Sequence, residues 1–142
     1  MICVDANVAT KWVLTEPDSA LALDLYAAAQ QRGNVVVAPA FMPIEVTNAI
    51  WRRVVDGLIS LAEAEERLAT FVTYKFALAT PAGLHQAALD LTHGFSRPNV
   101  YDMHYVALAQ IAGCDLWTAD RRLLNAIGGR LPFVRNLADL RL

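Results

Sequence analysis

Ile2-Cys3-Val4-Asp5-Ala6-Asn7 places three apolar residues in a row and stops them on an acid. A run this short, without polar alternation, is the pattern of a strand covered on both faces, and such strands belong to parallel sheets. Four more runs of the same kind occur along the chain. Val35-Val36-Val37-Ala38 stops before Pro39, and Phe76-Ala77-Leu78-Ala79 leads to Thr80-Pro81. Asp115-Leu116-Trp117-Thr118 precedes Ala119-Asp120, and Phe133-Val134 lies near the C-terminus. Between these runs the sequence carries helix signals. One helix is expected over 19–31, closed by Gly33, and another from about 41, with Pro43 in its first turn, to Gly57. Ser60 and Glu63 have capping-box spacing and open a helix to about 74. Further helices are expected over 82–92, 100–112 (closed by Gly113) and 120–127 (closed by Gly128-Gly129). Alternating strands and helices predict one three-layer α/β/α domain over 1–142, with a central, mostly parallel sheet of about five strands. The helical hairpin 41–74 is the one irregularity, because two helices there separate consecutive strands.

Composition agrees with a single packed domain: 142 residues, 56% hydrophobic and 18% charged. No stretch approaches the roughly 18 apolar residues of a membrane span, and Asp5 interrupts any signal-peptide pattern, so a cytoplasmic protein is expected. The net charge of −2 excludes a basic nucleic-acid-binding tail, so any nucleic acid must be held by local basic groups or a bound cation. Ten arginines stand against two lysines, Lys11 and Lys75, and the guanidinium fork suits phosphate or carboxylate. Cys3 and Cys114 lie in apolar surroundings without metal-ligand spacing, and read as reduced thiols.

In an open parallel sheet, ligands gather at the carboxyl ends of the strands. Asp5 and Asp120 mark two such ends, while Glu45 and Asp102 sit in the first turns of helices. Each has an ordinary explanation. Asp120 can cap the helix behind it, Asp102 stands three residues after Asn99 in a capping arrangement, Glu45 complements a helix dipole, and Asp5-Ala6-Asn7 can form a capping turn. Those explanations do not account for four acids converging on one edge. Two carboxylates ~4 Å apart repel by about 4 kcal/mol at an effective dielectric near 20, so a cluster calls for protons or a cation. Oxygen ligands without a cysteine or histidine partner select a hard ion, Mg²⁺ or Mn²⁺. Such an ion beside a phosphodiester polarises its oxygens and lowers the pKa of an attacking water.

Asp5-Ala6-Asn7 after the first strand, Glu45 within Pro43-Ile44-Glu45-Val46, Tyr101-Asp102 opening a helix, and Thr118-Ala119-Asp120 closing a strand together resemble the PIN-domain nucleases. More narrowly, the chain resembles a VapC-type toxin of a bacterial toxin–antitoxin pair. The resemblance covers nearly the whole chain and implies an endoribonuclease dependent on Mg²⁺ or Mn²⁺. It implies that Asp5 and Asp102 are the primary metal ligands and that Glu45 and Asp120 complete the acidic pocket. Thr118 would position a water or a phosphate oxygen, and Asn7 stands where the family shows Ser, Thr or Asn. Substrate phosphates would fall to Arg97 and Arg121, with Arg122 beside it. Asn48 and Arg52 share the face of Glu45 at i+3 and i+7, where Asn48 can orient Glu45 and Arg52 can reach a phosphate. His85, His93 and His104 share no spacing with the acids, and His104 points to another side of its helix than Asp102.

The high apolar content also suggests a homodimer face and a second groove. The hairpin 41–74 would wall that groove, with Trp12 and Trp51 as aromatic anchors for a VapB-type antitoxin. In the family, an antitoxin segment in such a groove sends an arginine toward the metal site. The alternative is a PIN-like module that only binds a partner protein. A haloacid-dehalogenase-type phosphatase would need a second Asp where Asn7 stands, and a receiver domain would need a late Lys where the last is Lys75.

Overall fold

In a computed structural model, which describes residues 1–142, β1 (Ile2–Val4) is three residues long because Asp5 ends it and caps a short helix. One Asp5 carboxylate oxygen accepts from the Val8 N–H at 3.0 Å and opens that helix, α1 (Ala6–Thr10). This single-turn helix is the one behind the capping turn expected at Asp5-Ala6-Asn7, although five residues are too few for a helical period to give its bounds. Next come α2 (Ser19–Gln31), β2 (Val36–Pro39), α3 (Met42–Val55) and α4 (Leu61–Phe71), the last opened by the Ser60–Glu63 capping box. Then β3 (Ala77–Ala79), α5 (Leu84–Gly94), α6 (Tyr101–Ala112) and β4 (Leu116–Thr118) lead to α7 (Arg121–Ile127) and β5 (Val134–Asn136). α5 starts two residues later than expected, because Gly83 turns the chain at φ +80° before the helix begins.

The five strands form one sheet in the order β3-β2-β1-β4-β5, and every pairing is parallel. The chain builds outward from β1 to β3, crosses back, and builds outward again from β4 to β5. Right-handed crossovers then put α1 to α4 on one face and α5 to α7 on the other. Packing of α1 on α2 and α3, of α3 on α4, and of α5 on α6 agrees with those layers. In α6 every residue from Met103 to Ala109 is buried, against β1, β2 and β4. A helix so placed is apolar all round, which is why this segment shows no amphipathic stripe.

One expectation needs correction. The run 76–79 has the pattern of a strand covered on both faces, but β3 is an edge strand, and Leu78 is 46% exposed. The strand order positions the site. Direction reverses between β1 and β4, and in doubly wound sheets the crevice for ligands opens at the carboxyl ends beside that reversal.

Candidate active site

At the reversal, Cys3 pairs with Leu116 and Val4 with Trp117, a register that brings Asp5 alongside Thr118. The Thr118 hydroxyl donates to Asp5 Oδ2 and accepts from the Asp120 N–H at 3.0 Å. One buried hydroxyl therefore links both acids across the crevice. It holds the Asp5 carboxylate and the Asp120 backbone, a positioning part that leaves a lone pair of the hydroxyl for the expected contact with a water. Asn7 Oδ1 accepts from the Ala119 N–H at 3.1 Å, which ties α1 to the loop after β4. Asp120 caps α7, with Oδ1 accepting from the Arg122 N–H at 2.9 Å and the Leu123 N–H at 3.3 Å. The capping explanation for Asp120 thus holds alongside its place in the cluster.

The other two acids come from helices on opposite layers. Glu45 lies in the first turn of α3, and the Tyr105 hydroxyl donates to its Oε1 at 2.9 Å. Asp102 lies in the first turn of α6, three residues before Tyr105 and hence on the same side of that helix. Arg97 Nη2 pairs with Asp102 Oδ2 at 3.3 Å, while Arg97 Nε is buried without a partner. The guanidinium expected to meet substrate therefore lies on a carboxylate of the cluster, at the border of the acidic pocket. Arg121 is exposed and makes no ion pair.

Burial and mutual repulsion shape the electrostatics. Asp5 is 7% exposed, and its pKa is pushed up to about 7. Burial is the main cause, opposed by the hydrogen bonds from Thr118 and Val8 and reinforced by the charges of Asp120 and Asp102. Burial also raises Glu45, against its bond from Tyr105 and with the charge of Asp102. Asp102 is raised by burial and then by Asp120, against Arg97. Each of the four acids thus exerts or feels the field of another, although no three of them form a ready-made ion cage. Their chemistry fits a hard divalent cation: all donors are oxygens, and Glu45 Oε2, Asp102 Oδ1 and Asp120 Oδ2 have no protein hydrogen-bond partner.

Tyr105, which no sequence motif singles out, is the residue that joins α6 to Glu45. Its i+3 offset from Asp102 is the available signal. Trp12, expected as a partner anchor, is instead a core residue 5% exposed. It is stacked on Tyr74 at 5.0 Å and beside Tyr26 and Phe71. Trp51 is 52% exposed and lies on α3 with exposed Ile44 and Val55 at helical spacing. His104 is buried away from the acids, with Nδ1 on the Val100 carbonyl at 2.7 Å and Nε2 against His85 at 3.0 Å.

The sequence profile of the PIN domain family matches residues 2–129. The chain is also 35% identical over 128 residues to a protein of Mycobacterium tuberculosis named Ribonuclease VapC12, in each of two strains, covering 90% of this chain and 93% of that protein.

Proposed function

The chain belongs to the PIN-domain family, and from that premise we propose that it is an endoribonuclease dependent on Mg²⁺ or Mn²⁺, the toxin of a VapB-type antitoxin. The observation that carries this reading is the gathering of Asp5, Glu45, Asp102 and Asp120 at the point where the strand order reverses. Asp5 and Asp102 hold the ion, and Glu45 and Asp120 complete the pocket directly or through water. A divalent ion held there supplies Lewis-acid polarisation of a phosphoryl oxygen and acidifies an attacking water. Thr118 fixes Asp5 and Asp120 relative to each other, and Tyr105 fixes Glu45. Arg97 neutralises part of the charge of Asp102 and would offer its remaining N–H groups to a substrate phosphate beside the pocket. Arg121 meets a second phosphate, with Asn7 beside the scissile bond.

The exposed apolar stripe of Ile44, Trp51 and Val55 supports a partner-binding face on α3, and Trp51 is its aromatic anchor. A homodimer and a cytoplasmic location complete the reading; no helix is long and apolar enough to cross a membrane. The test is cleavage of single-stranded RNA by the purified chain. Cleavage is expected with Mg²⁺ or Mn²⁺, is lost in EDTA, and is lost in Asp5→Asn and Asp102→Asn with the fold retained. Undiminished cleavage by both variants would overturn the assignment. Absence of any RNA cleavage, with metal binding and partner capture intact, would establish the interaction module instead.

A further inference from the structure

Beside the acidic cluster, on its α1–α3 flank, lies a cleft of about 310 Å³ lined by Asn7, Thr10, Glu16, Glu45, Asn48 and Arg52. It falls within the range of small-ligand sites. We propose that this cleft is a nucleotide subsite: Arg52 binds a backbone phosphate of the RNA strand, and Asn48 with Asn7 reads the base or ribose lying between that phosphate and the acids. The inference rests on the ribonuclease reading and adds to it the path of the substrate.

The geometry of α3 sets the scale. Glu45, Asn48 and Arg52 succeed one another at i+3 and i+7 along one face, distinct from the buried face of Met42, Val46 and Ile50 and from the exposed apolar stripe. Seven residues of helix rise about 10 Å, so Arg52 stands one to two nucleotide steps from the acid end of the cleft. The charges suit such a strand. Glu16 lies within the cleft, but both of its carboxylate oxygens are engaged, by Lys11 at 3.0 Å and by Arg53 at 2.8 Å. Its negative charge is thereby answered twice, while Arg52 is exposed and enters no ion pair. The flank therefore carries a positive excess next to a negative centre, in a protein whose net charge is only −2. The polar lining suits a base. Asn48 makes no side-chain hydrogen bond within the protein, and Asn7, whose oxygen is held by Ala119, keeps its amide NH₂ without a protein acceptor. Paired amides offer donors and acceptors to the edge of an unstacked base, the usual mode of sequence reading in single-stranded RNA.

The test combines binding and cleavage. Affinity for a fluorescein-labelled single-stranded RNA dodecamer of mixed sequence is measured in EDTA at about 50 and 200 mM NaCl, a range over which phosphate contacts weaken markedly. Arg52→Ala is expected to weaken binding by about fivefold or more at the lower salt and to reduce the log–log salt slope by roughly 0.7, the value of one single-strand phosphate contact. Arg32→Ala, which removes the same charge near the opposite edge of the sheet, changes neither. In Mg²⁺, Asn48→Ala is expected to alter the base preference at one position next to the cut in a randomised RNA pool. Arg52→Ala with wild-type affinity and slope would overturn the proposal. So would displacement of the labelled RNA by hexaglutamate at the concentration at which unlabelled RNA displaces it. If the wild type cleaves no RNA yet binds it through Arg52, the subsite stands and the ribonuclease reading falls.

Discussion

Asp5 shows how a single buried carboxylate couples stability to pH. Its pKa lies near 7 in the folded chain, against an ordinary value of 3.8. Below pH 4 both folded and unfolded forms keep the proton, and folding loses nothing. Between pH 4 and 7 the unfolded chain gives up its proton while the folded one retains it, so stability falls by up to about 1.4 kcal/mol per pH unit. Above pH 7 the full penalty is present. Asp5→Asn removes it and keeps the cap of α1, because Asn caps as well as Asp. We therefore expect the metal-free variant to melt about 5 °C or more above wild type at pH 8, with the gap closing toward pH 5 in calorimetry. A gap that is constant with pH would show that Asp5 is not the titrating group. Tyr105→Phe isolates the opposite contribution, a donor that holds Glu45 in place. Because Glu45 is only half-buried, the lost bond is expected to shift melting by less than about 4 °C. Steady-state cleavage is expected to show kcat reduced by about tenfold with KM nearly unchanged, the pattern of a misplaced acid.

At the scale of elements, α3 presents three faces with three tasks: Met42, Val46 and Ile50 in the core, Glu45, Asn48 and Arg52 in the cleft, and Ile44, Trp51 and Val55 to solvent. Trp51→Ala is expected to weaken antitoxin binding at least tenfold by titration calorimetry and to leave the melting temperature of the free protein within about 2 °C. Unchanged affinity would remove the apolar stripe from the partner interface. Much of this organisation is legible in the sequence. The capping box at Ser60, the glycines closing α2, α6 and α7, and the acids at strand ends and helix starts all carry local signals. The illegible part depends on contacts between distant segments. Whether the run ending at Ala79 lies at the centre or edge of the sheet is decided by strand order, which no short run encodes. Trp12 carries the same symbol in a core as on a surface, and only the arrival of Tyr74, Tyr26 and Phe71 shows which applies. Arg97 is visible as a cation, but its choice of Asp102 over solvent depends on how α5 hands the chain to α6, through a left-handed Ser96 at φ +51°.

For the whole molecule, repulsion among the acids and attraction to a cation are two sides of one linkage. Mg²⁺ that binds only the folded chain raises its melting temperature, by an increment that grows with the logarithm of its concentration. The rise is expected to be clear in wild type and at least halved in Asp5→Asn and Asp102→Asn by differential scanning fluorimetry. Equal shifts in all three proteins would mean that these acids share no ion. The parallel sheet has a further consequence, for the timing of assembly. The hydroxyl bridge between Thr118 and Asp5 joins positions 113 residues apart, so Asp5 waits for a segment translated long after it. A nascent chain still on the ribosome holds Asp5 without β4, without Asp120 and with no crevice for either to face. Long-range parallel pairing of this kind is also slow to form. An enzyme of this architecture, folding beside the message that encodes it, gains its cutting centre only after the message has been read through Asp120.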